Sequence, residues 1–478
     1  MTLPGRIGLV GLVSRVSPRG RPDRLARSRG RRAGFTLVEL TVALVAGLIV
    51  ALGIVGLSRE ATRTFHEEVR SSAAEATLRT AIDRLRADLQ RAGYMSAANI
   101  MATDPHIAHA FNQNNVFTIG AAMNGIRRLA GIHLLPSGSL AATLALSQLQ
   151  VPALSPDAIE IGGNMTSSEQ FEVQTLGPSP ASANCTRLTL SANSPALFRV
   201  MAIGAPASQS AELNNMFQPD GAGQFIVRLV DDTGRAQFLA TCVGTPTAGI
   251  ATGTGWVDVA TDTATTPVLT PTATNTLGGV TATPGGAAYV NPVQIVRWEI
   301  VNSAAEPAQY QNALDSVSLQ AGVQDPNKFD LVRSFVNAGG TRIDATMEVV
   351  AEYAVDLNFA FSVENGTATA PAILTFSFDD SVNNQVWAGD VSTNLLPTNR
   401  PQRIRVVRAR VVTRTAQADR TVNVGLTNIA STGGASQAFL YRYCLLDPCT
   451  TQDDTLRWAR TRTITTEVSL PNQTGDFF

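Results

Sequence analysis

The chain has 478 residues, room for one large domain or two or three ordinary ones, and its 44% apolar content suffices for a core. The net charge of −1 hides an asymmetry: residues 1–34 hold nine Arg and one Asp, while the remainder holds 28 basic and 37 acidic side chains. An acidic body argues against broad electrostatic binding to nucleic acid, and a single lysine, Lys328, excludes a G-x-x-x-x-G-K-S/T phosphate loop.

In chain order, a basic leader (residues 1–34) precedes an apolar run from Phe35 to Leu57 whose one charge is Glu39. At about 1.5 Å per residue the run spans about 34 Å, enough to cross the hydrocarbon core of a bilayer. The arginines lie on its amino-terminal side, which keeps the leader cytoplasmic and places the body across the membrane. The run is too long for a cleavable secretory signal, and "GLSREATRTF" after it offers no A-x-A-like site. A charge at membrane depth costs roughly 2.5–3.5 kcal/mol for a central Asp, Lys or Arg, so Glu39 calls for a reason.

A basic leader ending in Gly34, then Phe35, Thr36, Leu37, Val38, Glu39 and an unbroken apolar helix, resembles the type III signal of type IV prepilins. The resemblance implies cleavage after Gly34 by a membrane prepilin peptidase, N-methylation of the new amino terminus at Phe35, and a role for Glu39 in assembly. In a filament of packed apolar helices, a buried carboxylate that pairs with a neighbour's positive amino terminus offsets part of its desolvation. The plainer alternative is a single-pass anchor with Glu39 near the interface.

No proline occurs between Phe35 and Asp104. Ala61, Phe65, Val69, Ala73, Ala76, Ile82, Leu85, Leu89 and Ala92 recur mainly at three- and four-residue steps, one stripe of a helix. One helix of about 87 Å is expected over 35–92, with Gly93 as its stop, inside an amino-terminal unit of residues 35–93 whose first part, 35–57, is transmembrane. Gly47, Gly53 and Gly56 suit close helix contacts. Residues 95–156 mix loop with short helix. From Asp157 onward, runs such as "DAIEIGG", "TRLTLSA", "FIVRLVD", "VQIVRWEIV", "FDLVRSFV", "MEVVAEYAVDLNFAFSV", "RIRVVRARVVTRT" and "RTITTEVSL" read as strands divided by turn residues. The expected fold is therefore α+β: a long amino-terminal helix and a β-rich body, residues 94–478, with a mainly antiparallel sheet. Residues 244–291, with 14 Thr, eight Gly and four Pro, read as a surface insertion with one short strand at "GWVDVA".

"RLRADLQRAGY" (84–94), "EVVAEYAVDLNFAFSVENG" (348–366), and "RPQRIRVVRARVVTRT" with a closing "RTRTITTEVSLPN" resemble the helix end and core strands of PilW-type minor pilins. Pro471-Asn472 departs from that family's usual Arg-Asn ending, and the 244–291 insertion has no counterpart in it. This likeness implies an inner-membrane subunit with a periplasmic body that later joins a cell-surface pilus. Its implied partners are other minor pilins, the major pilin, the inner-membrane assembly platform and a tip adhesin. The pseudopilins of type II secretion share the anchor but usually have a smaller body, and an adhesin or DNA-binding subunit is a third reading.

Four cysteines in an exported body permit two disulfides in three connectivities. The favoured pairing is Cys444 with Cys449, across the Asp447-Pro448 turn of "CLLDPC", and Cys185 with Cys242; four small buried side chains are the alternative. His106, His109 and His133 are a weak candidate metal set, and "FHEEVR" lacks the second histidine of a zinc-protease helix. Asp379-Asp380 and Asp453-Asp454 lack calcium-loop spacing and read as turns. Arg403, Arg405, Arg408, Arg410 and Arg414 form a basic strand with a parity slip at Val406-Val407, and without interleaved aromatics an ion-paired face is expected rather than a phosphate strip. No catalytic motif and no cofactor motif is present, so a non-enzymatic role is expected.

Overall fold

A computed structural model of the chain describes residues 36–100, 124–135, 156–219, 223–231, 234, 236–244, 246–251, 253–260, 276–277, 280–281, 288–302, 328–366, 372–378, 380–389, 400–416, 442–444 and 458–473. It divides into two compact units, residues 1–65 and 66–478. Helix α1 (Leu37–Gln90) contributes its first part to one and its second to the other. In the first unit every described side chain is exposed, although most are Leu, Val, Ile, Ala or Gly. An apolar helix without protein partners is what a bilayer or a helix bundle has to cover, and α1 is long and apolar enough to cross a membrane.

The second unit holds the rest of α1. Leu78, Ala81, Ile82, Leu85 and Leu89, three and four residues apart, are buried there against strands. The stripe expected from the sequence is realised only in its later part, since Phe65 and Val69 are 62% and 48% exposed. The reason is that the sheet meets α1 from Ser71 onward, where Arg462 donates to the Ser71 hydroxyl at 2.6 Å. Gly93 adopts φ +73°, a left-handed conformation that favours glycine, and its N–H donates to the Gly162 carbonyl at 2.8 Å. The helix therefore stops where expected.

Among the described residues all strand pairs are antiparallel. The larger sheet contains β1 (Ile132–Leu135), β2 (Ala158–Gly163), β3 (Phe171–Pro178), β4 (Cys185–Leu190), β5 (Ile226–Val230), β6 (Ala236–Ala240), β7 (Ala248–Ala251) and β8 (Thr254–Ala260). A two-residue hairpin, β9 (Thr276–Leu277) and β10 (Val280–Thr281), precedes its remaining strands, β11 (Ala288–Asn302), β12 (Phe329–Val336) and β13 (Glu348–Ala351). The smaller sheet orders β15 (Ile373–Thr375), β14 (Ala354–Glu364), β16 (Ile404–Arg414), β18 (Trp458–Ser469) and β17 (Arg442–Cys444).

The 15 residues of β11 organise the larger sheet. Its first part pairs with β3 and β5, its second with β2 and β12, and Pro292 sits near that change of partner. Flanked on both edges, β11 is buried along most of its length, as a strand rich in Val and Ile should be. Its Val296, Trp298 and Ile300 belong to the core under α1, while Ala288 and Val290 belong to a second core under helices α3 (Pro195–Met201) and α4 (Pro206–Phe217). Among the described residues, a four-residue turn of helix, α2 (Asn124–Arg127), and α5 (Ser381–Ala388) complete the α-helices.

Three expectations change. Residues 244–291 are not simply a surface insertion: besides the expected strand at "GWVDVA", which is β8, they supply β7 and the start of β11, and Ala248, Val257, Val259, Ala288 and Val290 are buried in the second core. "MEVVAEYAVDLNFAFSV" is not one strand but two, β13 and β14, because Tyr353 turns the chain at φ +55°. Helices α3 and α4 lie inside the stretch read as strands, each opened by a proline in its first turn, where the missing N–H costs nothing.

Asp88, in the last turn of α1, is buried. Its carboxylate accepts from Trp298 Nε1 at 2.9 Å and from Arg333 Nε at 2.7 Å, so β11 and β12 hold the helix end by two charge-assisted bonds. Asp88→Ala leaves the Arg333 guanidinium buried with only the distant Glu348 carboxylate, 3.9 Å away. The expected loss is about 3–5 kcal/mol, measured by denaturant unfolding of the detergent-solubilised protein; a loss under about 1 kcal/mol would overturn this anchor.

Candidate functional site

The start of α1 is held by its own side chains. Thr36 donates to Glu39 Oε2 twice, from its backbone N–H and from its hydroxyl, each at 3.0 Å. The Glu39 N–H donates back to Thr36 Oγ1 at 3.3 Å. This reciprocal pair is a capping box, which satisfies backbone donors that a helix start otherwise leaves open. The Thr-x-x-Glu spacing that signals a capping box lies within the prepilin-like signal itself. The carboxylate of Glu39 is thus hydrogen-bonded within its own chain, with its side chain exposed at the head of an exposed apolar helix. Gly34 and Phe35 lie outside the described residues.

The other residues singled out by the sequence fall elsewhere. Cys185 and Cys242 form a disulfide that ties the first residue of β4 to the segment after β6. The side chain of Cys444 and all of Cys449 lie outside the described residues, as do His106 and His109. His133 is buried on β1, and its Nδ1 is 2.7 Å from Glu160 on β2. Arg297 and Arg128 approach the other Glu160 oxygen at 2.6 and 3.4 Å. Burial pushes the Glu160 carboxyl up, but the hydrogen bond and charge of His133 with the charges of Arg297 and Arg128 outweigh it and hold it well below the usual range. No group of three or more metal-ligating side chains occurs among the described residues. Asp380 caps α5, accepting the Asn383 N–H at 3.2 Å, while Asp379, Asp453 and Asp454 lie outside the described residues.

The arginines of β16 are occupied within the body. Arg405 pairs with Glu364 at 2.9 Å and Arg410 with Asp356 at 3.4 Å. Arg408 donates to the Phe376 carbonyl, and Arg408 and Arg410 both lie over the Phe378 ring. Arg414 is buried over Tyr353; Arg403, read as part of the basic strand, lies instead in the short 3-10 turn Pro401–Arg403 just before β16 and donates to the Gly366 carbonyl at 3.4 Å. The parity slip falls at Arg405, one residue before the expected Val406-Val407, where the register with β14 shifts.

Three comparisons bear on the amino terminus. Residues 29–55 match the family model described as the prokaryotic N-terminal methylation motif. No curated protein and no solved structure matches the chain. The matched stretch includes the capping box and the exposed, apolar beginning of α1.

Two tests follow from this geometry. Thr36→Val removes the hydroxyl that accepts the Glu39 N–H and donates to its carboxylate, leaving only the backbone Thr36 N–H bond, and should cost about 0.5–2 kcal/mol at the helix start. It should appear as faster amide hydrogen exchange over residues 37–40, with none beyond Ser71; unchanged exchange would count against the box. The second concerns Asp356, whose carboxyl burial pushes up to about 7 against the opposing charge of Arg410, with the Asp157 charge adding to the rise. Because the folded state then holds a proton that the unfolded chain, at 3.8, gives up sooner, stability falls as pH rises from about 4 to 7 and levels off above. Asp356→Asn should flatten that fall and gain on the order of 1–4 kcal/mol relative to wild type between pH 5 and pH 8, read by urea unfolding at both; equal slopes would overturn it.

A methylation motif that runs directly into a long, exposed apolar helix, ahead of a mostly antiparallel β body, gives this chain a type IV prepilin-like amino terminus on a pilin-like α+β fold.

Proposed function

We propose that the chain is a minor pilin of a type IV pilus. Cleavage by a prepilin peptidase between Gly34 and Phe35 frees an amino terminus that is N-methylated at Phe35. The subunit waits in the inner membrane with its body in the periplasm, then enters a cell-surface filament at low copy and primes assembly at the tip with other minor pilins, the major pilin and the inner-membrane platform. The observation that carries this reading is the continuity of the methylation motif, residues 29–55, with the exposed apolar part of α1.

Assembly in this reading is association rather than catalysis. Apolar helices pack laterally when the filament replaces lipid around residues 37–57, where the gain is van der Waals contact rather than release from water. Glu39 then exchanges its bonds to Thr36 for the amino terminus of a neighbouring subunit, so only one stagger between helices leaves the carboxylate paired. The pseudopilins of type II secretion use the same kind of amino terminus; the large body, residues 94–478, favours the pilus reading over that one. An adhesive role draws on no feature described above, and a DNA-binding role would have to recruit β16 arginines that are already engaged inside the body.

The deciding experiment is mass spectrometry of the amino terminus of the protein purified from membranes of cells with active prepilin peptidase. N-methyl-Phe35 is the expected first residue, and a chain that keeps residues 1–34 would reduce the protein to an ordinary anchor. Glu39→Ala should leave processing nearly intact and abolish incorporation into surface filaments; normal pilus number with normal incorporation would remove the assigned role. Deletion separates the two filament readings, since loss of pili supports one and loss of protein export supports the other.

A further inference from the structure

The chain uses arginine at every basic position but one, and that one, Lys328, is buried, with 1% of its side chain exposed. A guanidinium is a poor nucleophile, whereas a desolvated lysine amine is a good one. Lys328 Nζ lies 3.6 Å from Asp330 Oδ2 and 3.6 Å from Glu352 Oε1, and 5.3 Å from the centre of the Tyr353 ring. Asp330 is wholly buried, while Glu352 is about one-third exposed.

The backbone at this place is strained. Tyr353 holds φ +55°, a conformation that bulky side chains avoid, and in it the Tyr353 N–H donates to Asp330 Oδ1 at 2.9 Å. Its carbonyl accepts the Arg414 N–H at 2.9 Å, which fixes the peptide from the other side. One oxygen of Asp330 thus faces a backbone donor and the other faces an amine. A buried amine, a carboxyl polarised by a fixed N–H, and a second carboxylate reaching solvent are the parts needed to form an amide.

We propose that Lys328 and Asp330 are joined by an intramolecular amide bond, formed without an added enzyme, with Glu352 carrying the proton. A proton first passes from the ammonium to Asp330 Oδ2, giving an amine beside a carboxylic acid. Burial favours that acid by pushing Asp330 up to about 6, against the charge of Lys328 and the bond from Tyr353. Lys328 Nζ then attacks Cγ while negative charge gathers on Oδ1, where the Tyr353 N–H already points. Glu352 takes a second proton from Nζ and delivers it to the departing Oδ2. A C–N bond forms, the Cγ–Oδ2 bond breaks, one water leaves, and nothing is oxidised or reduced. The product replaces two buried charges by one neutral amide, which removes their desolvation cost.

The test uses the natively purified full chain, denatured and digested with an arginine-specific protease, which places Lys328 and Asp330 together in peptide 298–333. That peptide should be lighter by one water, its Lys328 should resist an amine-labelling reagent, and trypsin should leave the Lys328–Phe329 bond uncut. A peptide of full mass with a labelled lysine overturns the proposal. So does a lighter peptide whose lysine still labels, because the water then came from the backbone beside one of its aspartates. A branched product joined to the peptide carrying Glu352 overturns the choice of Asp330. Glu352→Gln, at a partly exposed position, should raise the uncyclised peptide at least roughly tenfold in freshly folded protein, and no change would remove Glu352 from the step.

Discussion

Asp88 is the constraint on which the body depends. A carboxylate in the last turn of a helix is poorly placed by the helix dipole, which favours cations there. It is retained because Trp298 and Arg333, on the two paired strands β11 and β12, meet it from the sheet side. Leu78, Leu85 and Leu89 pack non-directionally, and packing of that kind tolerates rotation of the helix about its axis. The bonds to Asp88 do not, and so they fix the angle at which α1 meets its sheet.

The two carboxylates of α1 play opposite parts. Asp88 is shut into a buried set of donors from Trp298 and Arg333. Glu39 is exposed, and among the described residues its side chain bonds to Thr36, three positions away, so its bonds are easily given up. An exchangeable partner suits a group that has to change its surroundings between lipid and filament, and a permanent one suits a group that has to keep the body's geometry. Glu160 is a third case, a buried carboxylate that the His133 hydrogen bond and the Arg297 and Arg128 guanidiniums hold well below the usual carboxylate range inside the larger sheet.

Much of this was legible along the chain. The freedom from proline, the stripe ending at Ala92, and Gly93 together located α1 and its stop, because each acts locally. The alternating β-branched runs located β2, β4, β5, β11, β12, β16 and β18 for the same reason. What escaped was either non-local or chemically disguised. The partners of Asp88 lie 210 and 245 residues away, beyond any local pattern. The Thr- and Gly-rich composition around β7 read as surface insertion, and only the strand at "GWVDVA", now β8, stood out from it, with Val257 and Val259 both in the core. The turn at Tyr353 carries no Gly, Pro or Asn, since the bonds to Asp330 and Arg414, rather than an accommodating residue, hold its backbone. Thr36 and Glu39 carried a plain capping signal that the transmembrane pattern overshadowed.

The length of β11 has a mechanical meaning. One uninterrupted strand belongs at its beginning to the core under α3 and α4 and at its end to the core under α1. Parting those cores would require sliding β11 lengthwise past β2, β5 and β12, which loads several interstrand bonds at once rather than peeling them one by one. A pull received at the α1 side is therefore shared among the partner strands along β11 before it can separate the two cores.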